Sequence, residues 1–234
     1  MAAHASSELH PKDRIRGFVR DRTLQASAVA VAFVSLLGPT SLYADATKEL
    51  EKMLASMETL RADVQQLIVE EDGGVLEESS IRMMLKQPNG FAWETLEPFP
   101  ELLISNGTWL WNYQPDLEQL VIEPWRSGDS ELAAQLLSGR VDGLSEEYEI
   151  TSTGGQDGLI EFALSPRDVS NVNRLISLSF LAGRLDGIVL EARSGQRTLW
   201  RFENVVLNSA IDDSEFEFVP PEGIEVIRND YIEP

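Results

Sequence analysis

The chain has 234 residues, no cysteine, and two histidines, both within its first ten residues; its 19 basic against 39 acidic side chains give a formal net charge of −20. These counts exclude a Cys/His zinc site, a thiol nucleophile, a disulfide framework and a Ser-His-Asp triad. They also argue against nucleic acid as a partner, because phosphate neutralisation requires clustered Lys and Arg. The 43% hydrophobic content, with five Trp and nine Phe, is that of a chain able to build a core.

The first forty-four residues read as a secretory signal. Lys12, Arg14, Arg16, Arg20 and Arg22 form a basic n-region, and Ala26 to Leu37 is an apolar run interrupted only by Ser27 and Ser35. Twelve residues rise about 18 Å as a helix, too short to span a bilayer core of roughly 30 Å. Gly38-Pro39 then breaks the helix, and Ser41-Leu42-Tyr43-Ala44 ends on a small residue, placing cleavage after Ala44. Removal of residues 1–44 takes away five basic and three acidic residues, leaving 14 against 36, a net −22. Without a cysteine there is no lipobox, so the expected product is an exported soluble protein without a lipid anchor. Residues 45–234 are expected to form one domain, and a chain of about 190 residues buries roughly 70% of its unfolded surface.

Asp45 to Leu60 has the spacing of a helix, with Ala46, Leu50, Met53, Leu54 and Met57 on one face. Strands follow. Val64–Glu70 and Val75–Leu85 flank the hairpin signal Asp72-Gly73-Gly74. Phe91, Trp93 and Thr95 share one face of a strand; Trp109, Trp111 and Tyr113 share one face of another, after the turn Asn106-Gly107. Leu120–Glu123 is a further short strand. Ser130 to Leu137 is helical, with Ser130 as N-cap and Gly139 at C′. Strands resume at Tyr148–Thr153, Leu159–Leu164, Ile176–Leu181, Leu185–Ala192 and Arg197–Leu207, separated by Gly-containing turns. About ten strands in hairpin succession describe a mainly β protein, a single antiparallel sheet that must curl at that size. With the two helices laid over it, the concave side is either packed solid or encloses an apolar cavity, and periodicity does not distinguish the two.

Acid–base chemistry without histidine falls to carboxylates, Lys or Tyr. The adjacent acidic pairs, such as Glu77-Glu78 and Glu146-Glu147, point to opposite faces of a strand and read as solvated charge. No Walker loop, dinucleotide fingerprint or EF-hand spacing occurs. A two-carboxylate glycosidase is the enzyme class that composition leaves open.

Three motifs in register carry a family resemblance. Leu85-Lys86-Gln87-Pro88-Asn89-Gly90-Phe91-Ala92-Trp93, then Leu103 to Pro115 around Asn106-Gly107 and Trp109-Leu110-Trp111-Asn112-Tyr113, and finally Phe216-Glu217-Phe218-Val219-Pro220-Pro221-Glu222-Gly223 resemble the outer-membrane lipoprotein carrier (LolA) family from Asp45 to about Asn229. The resemblance implies an open half-barrel under a helical lid, in the periplasm. It implies a monomeric carrier, without cofactor or metal, that holds lipoprotein acyl chains and passes them from an inner-membrane ABC transporter to an outer-membrane receptor. By that resemblance Phe91, Trp93, Trp109 and Trp111 wall the acyl cavity, with Leu50, Met53, Leu54 and Met57 on one lid helix and Leu132, Leu136 and Leu137 on the other. Phe91 matches the family's exposed Phe after the turn, which implies a gate for transfer. Gln87 stands where the family has the arginine that latches the lid, and Val64 where it has an aromatic residue before Gln66. An acyl chain of about fifteen carbons resists leaving a membrane by on the order of 12 kcal/mol, so a carrier must offer comparable apolar surface and later give it up. A related half-barrel that binds another periplasmic lipid or senses envelope stress is the alternative reading.

Overall fold

The computed structural model describes residues 40–125 and 144–229, all within one compact unit. Helix α1, Thr40–Ala55, comes first. It is followed by β1 (Thr59–Val69), β2 (Val75–Lys86), β3 (Gly90–Glu97), β4 (Glu101–Ser105), β5 (Trp109–Gln114) and β6 (Gln119–Pro124). A short helix α2 (Leu144–Glu147) leads into β7 (Tyr148–Gly154), β8 (Leu159–Pro166), β9 (Asn173–Leu181), β10 (Arg184–Ala192) and β11 (Arg197–Leu207), with β12 (Glu225–Arg228) last.

The twelve strands form one sheet in the order β12-β6-β5-β4-β3-β2-β1-β11-β10-β9-β8-β7. Its two ends are not paired to each other, so the sheet is open. Every neighbouring pair is antiparallel except β12, which runs parallel to β6 through Glu225↔Gln119 to Arg228↔Ile122. Both β12 and β4 lie beyond the strands read from sequence. Glu101-Leu102-Leu103-Ile104-Ser105 has no polar–apolar alternation to mark it, and β12 is fixed only by a partner more than a hundred residues away.

The helix was expected over Asp45–Leu60 and instead occupies Thr40–Ala55, while Thr59 and Leu60 already belong to β1. Ser56 Oγ donates to the Met53 carbonyl, and Thr59 Oγ1 donates to Ser209. The first, local bond ends the helix, and the second, to a residue 150 positions away, commits the next residues to the sheet. The expected helix at Ser130–Leu137, with Leu132, Leu136 and Leu137, lies outside the described residues, as does the expected signal segment up to Pro39.

The sheet is strongly curled. Trp93 on β3 and Trp200 on β11 are three strand intervals apart, about 14 Å in a flat sheet, yet their rings meet edge to face at 6.4 Å. The concave side carries the larger core. Leu60, Ala62 and Val64 of β1, Ile81, Met83 and Leu85 of β2, and Ile176, Leu178 and Phe180 of β9 are all buried there, under Ala46, Leu50 and Leu54 of α1. A second, smaller core lies on the convex side of β3–β6, where Ala92, Ile104, Trp111, Leu120 and Ile122 are covered by Ile211 and Phe216.

Candidate functional site

The inner face is the site, and its walls follow from strand phase. Opposed residues of an antiparallel pair share a face. Met83↔Trp93 and Leu85↔Phe91 therefore place Phe91 and Trp93 beside the core of β1 and β2. Phe91 stacks on Trp93 with ring centroids 6.3 Å apart, and on Trp125 at 6.4 Å. Trp200 Nε1 donates to Gln66 Oε1 at 2.6 Å, which satisfies the one polar atom of that indole. Phe162 and Phe180 meet edge to face at 5.8 Å. Among the described residues the buried polar or charged side chains are Thr59, Ser79 and Ser105. Over β1–β3 and β7–β11 the inner surface is thus a nearly uninterrupted apolar wall.

Helix α1 covers this wall with Ala46, Leu50 and Leu54, while Met53 packs partly buried beside them. Met57, just past the helix, is 1% exposed. The helix lies against β7, where Tyr148 and Ile150 join the same core.

The C-terminal end of α1 is held by neutral groups. A helix leaves its last four carbonyls without internal partners. Gln87 Nε2, reaching from the β2–β3 turn, donates to the Leu54 carbonyl at 3.1 Å. Gln87 N donates to the Glu58 carbonyl at 2.8 Å. From the end of β11, Asn208 Nδ2 donates to the Ser56 carbonyl, and its Oδ1 accepts from the backbone N–H of Glu58 and, at 3.4 Å, of Thr59. One amide side chain thereby ties the helix, the connection and the sheet. A neutral hydrogen bond contributes about 0.5–1.5 kcal/mol, and one to a charged group about 1.5–3 kcal/mol. Gln87 therefore holds α1 less tightly than an arginine would.

The three sequence motifs resolve into packing. Gly107 has φ +85°, and a Cβ there would come within 2.3 Å of Asn89 Cβ, so the two turns Pro88-Asn89 and Asn106-Gly107 interlock. Asn106 Oδ1 accepts from the backbone N–H of Thr108 and Trp109, closing the second turn. Phe218 lies against Tyr113 with ring centroids 5.3 Å apart, and Phe216 is 2% exposed beneath the convex side of the sheet.

The model of the family described as outer membrane lipoprotein carrier protein LolA matches residues 55–219. The chain is 35% identical over 181 residues to the outer-membrane lipoprotein carrier protein of Chromohalobacter salexigens, covering 77% of this chain and 86% of that one. It is 34% identical over 210 residues to the protein of the same description from Pseudomonas paraeruginosa, covering 88% of this chain and 98% of that one. This chain belongs to the LolA family. Solved structures are more distant: a LolA superfamily protein from Nitrosomonas europaea has a TM-score of 0.44 at 12% identity, covering 74% of this chain and 98% of its own. MucB has a TM-score of 0.46 at 14% identity, covering 82% of this chain and 69% of its own. Neither likeness bears on what this chain does.

Not all the residues that the LolA resemblance assigned to one cavity come together. Phe91, Trp93, Leu50, Leu54, Met57 and the edge of Met53 share the inner face. Trp109 and Trp111 do not. The pairs Ala92↔Ile104 and Ile104↔Trp111 put Trp111 on the opposite side of the sheet from Phe91 and Trp93, in the convex core. Phe91 is also not exposed: it is 5% accessible, covered by Trp93 and Trp125. Sequence reasoning missed Trp125, Trp200 and Phe202 as inner-face aromatics. The alternation Trp200, Phe202 in Arg197–Leu207 was the available signal for two of them; Trp125, beyond the end of β6, had none.

Proposed function

We propose that this protein is a periplasmic lipoprotein carrier that takes up acyl chains between the inner face of its sheet and α1. It receives them from an inner-membrane lipoprotein-releasing ABC transporter and delivers them to an outer-membrane receptor. Residues 1–44 serve as its export signal. The carrying observation is the inner face of a LolA-family chain: a wall built from Val64, Met83, Phe91, Trp93, Phe162 and Trp200, roofed by an amphipathic helix whose end is held by neutral hydrogen bonds. A ligand without polar features is matched by flat aromatic and aliphatic surface, and its release requires a roof that opens at modest cost. Methionine at 53 and 57 suits chains of varied shape, because its side chain is flexible and polarizable. The task is transfer without bond making or breaking, and it calls on no catalytic group.

Site-specific photocrosslinking tests this. A benzophenone amino acid is placed at 93 or at 111 in the purified protein, which is then incubated with transporter-containing proteoliposomes, ATP and a triacylated lipoprotein. Position 93 is expected to capture the lipoprotein and position 111 to capture none. Capture at 111 alone, or at neither position, overturns the proposal.

A further inference from the structure

The inner face is not uniform along the sheet. Over β7–β11 and β1–β3 it is apolar and buried. Over β4–β6 its residues are mostly half-buried and polar. The pairs Trp93↔Leu103, Leu103↔Asn112 and Asn112↔Val121 carry the inner face across these strands. Gln114 and Gln119 follow on one side, and Leu110 and Glu123 on the other, each an opposed pair on the same face. Gln114 Nε2 donates to Glu101 Oε1 at 3.0 Å. Among the described residues Asn112 Oδ1 is buried with no hydrogen-bond partner. A buried acceptor left unpaired is destabilising, and an apolar residue at 112 would avoid that cost. Leu103 and Val121, its two neighbours across the strands, supply no donor from their side chains.

Resting on the carrier reading above, we propose that the inner wall of β4–β6 is a head-group subsite, in which Asn112 Oδ1 accepts a hydrogen bond from the amide N–H that joins a fatty chain to an N-acylated ligand. The half-buried position beside the apolar wall is where a ligand whose chains lie over β1–β3 would present its head. An amide suits this place for two reasons. It brings the donor that Asn112 lacks, and, being neutral, it is not repelled by the carboxylates of Glu101 and Glu123, as a phosphate head would be. A fatty ester has the same chain and the same carbonyl but no donor, so it leaves Asn112 unpaired.

Three probes of equal chain length decide this in competition with an environment-sensitive fluorophore: N-methyldodecanamide, methyl dodecanoate and dodecyl phosphate. The wild-type chain is expected to bind the amide roughly tenfold tighter than the ester, the gap of one buried hydrogen bond, and to bind the phosphate weakest. In Asn112→Leu the amide-to-ester ratio is expected to fall to about one. Equal affinity for amide and ester in the wild-type protein, a ratio unchanged in Asn112→Leu, or preference for the phosphate overturns the subsite alone. Failure of all three probes to bind overturns the subsite together with the carrier reading beneath it.

Discussion

Tyr148 opens β7 with its ring in the inner core, beside Glu147. Burial, then the neighbouring Glu147 charge, raises the phenol above its ordinary value of 10.0, and a hydrogen bond with the Asn171 side chain acts the other way. The folded chain therefore keeps this proton to higher pH than the unfolded chain does. Its stabilising contribution is complete below pH 10 and is lost as pH rises through the folded value. Wild-type protein is expected to lose more thermal stability above pH 10 than Tyr148→Phe, followed by circular dichroism melts; parallel losses in the two proteins would remove Tyr148 as the cause. Asp212 shows the reverse sign. The Ser214 hydroxyl and then the Ser214 backbone N–H hold its carboxylate below the usual range, so what it contributes at the start of the C-terminal turn is lost in acid. At this same scale, Gln87 illustrates how much a residue identity reveals: its neutrality is read directly from sequence, while its hydrogen bond to Leu54 required the turn and the helix end to be brought together.

At the scale of elements, the C-terminal segment acts as a clasp on the convex side. Lys86 Nζ donates to the Ile211 carbonyl at 2.9 Å and pairs with Asp213, while Phe216 lies over Gly90. A Cβ at Gly90 would stand 2.9 Å from the Phe216 ring and 3.0 Å from Lys86 Cβ. Gly90→Ala is expected to push the clasp off the sheet and cost about 1–3 kcal/mol. Limited proteolysis with denaturant unfolding checks this: the variant should be trimmed near residues 209–218 while the sheet persists, and an unchanged digestion pattern would contradict it. The clasp also explains why the closing Phe-x-Phe motif was legible as a family signature but not as an element with a place. The motif serves a surface that exists only once β3–β6 have assembled. The same holds for β12, whose parallel pairing with β6 follows the clasp along the edge of the sheet.

For the whole molecule, charge is the dominant property outside the core. A formal −20 over 234 residues creates a field that extends about 10 Å at 0.1 M salt. It disfavours lingering at anionic membranes and favours approach to a basic surface. Association with the proposed outer-membrane receptor is expected to slow by about tenfold between roughly 0.01 M and 1 M salt, measured by stopped-flow fluorescence. A rate indifferent to salt would assign the acidity to solubility instead. Against this surface, the curled sheet supplies two cores on opposite faces, and their separation could not be read from the chain. Phe91 and Trp93 alternate in one strand, Trp109 and Trp111 in another, and both phases are plain in the sequence. Which phases coincide depends on the register across β3, β4 and β5, where a shift of one residue moves every side chain to the other face.

Residue identity and spacing were enough to read the chemistries that composition excludes, the β-rich order of segments, the amphipathic face of α1 and the family membership carried by three spaced motifs. Those depend on residue identity and on periodicities of two to four residues, which are local. The tertiary structure alone decided that Trp109 and Trp111 belong to the convex core, that Phe91 is buried under Trp125, that Asn208 binds the end of α1, and that Asn112 is left with a buried oxygen. Each of these depends on contacts between positions far apart in the chain, set by strand register and by the curl of one sheet.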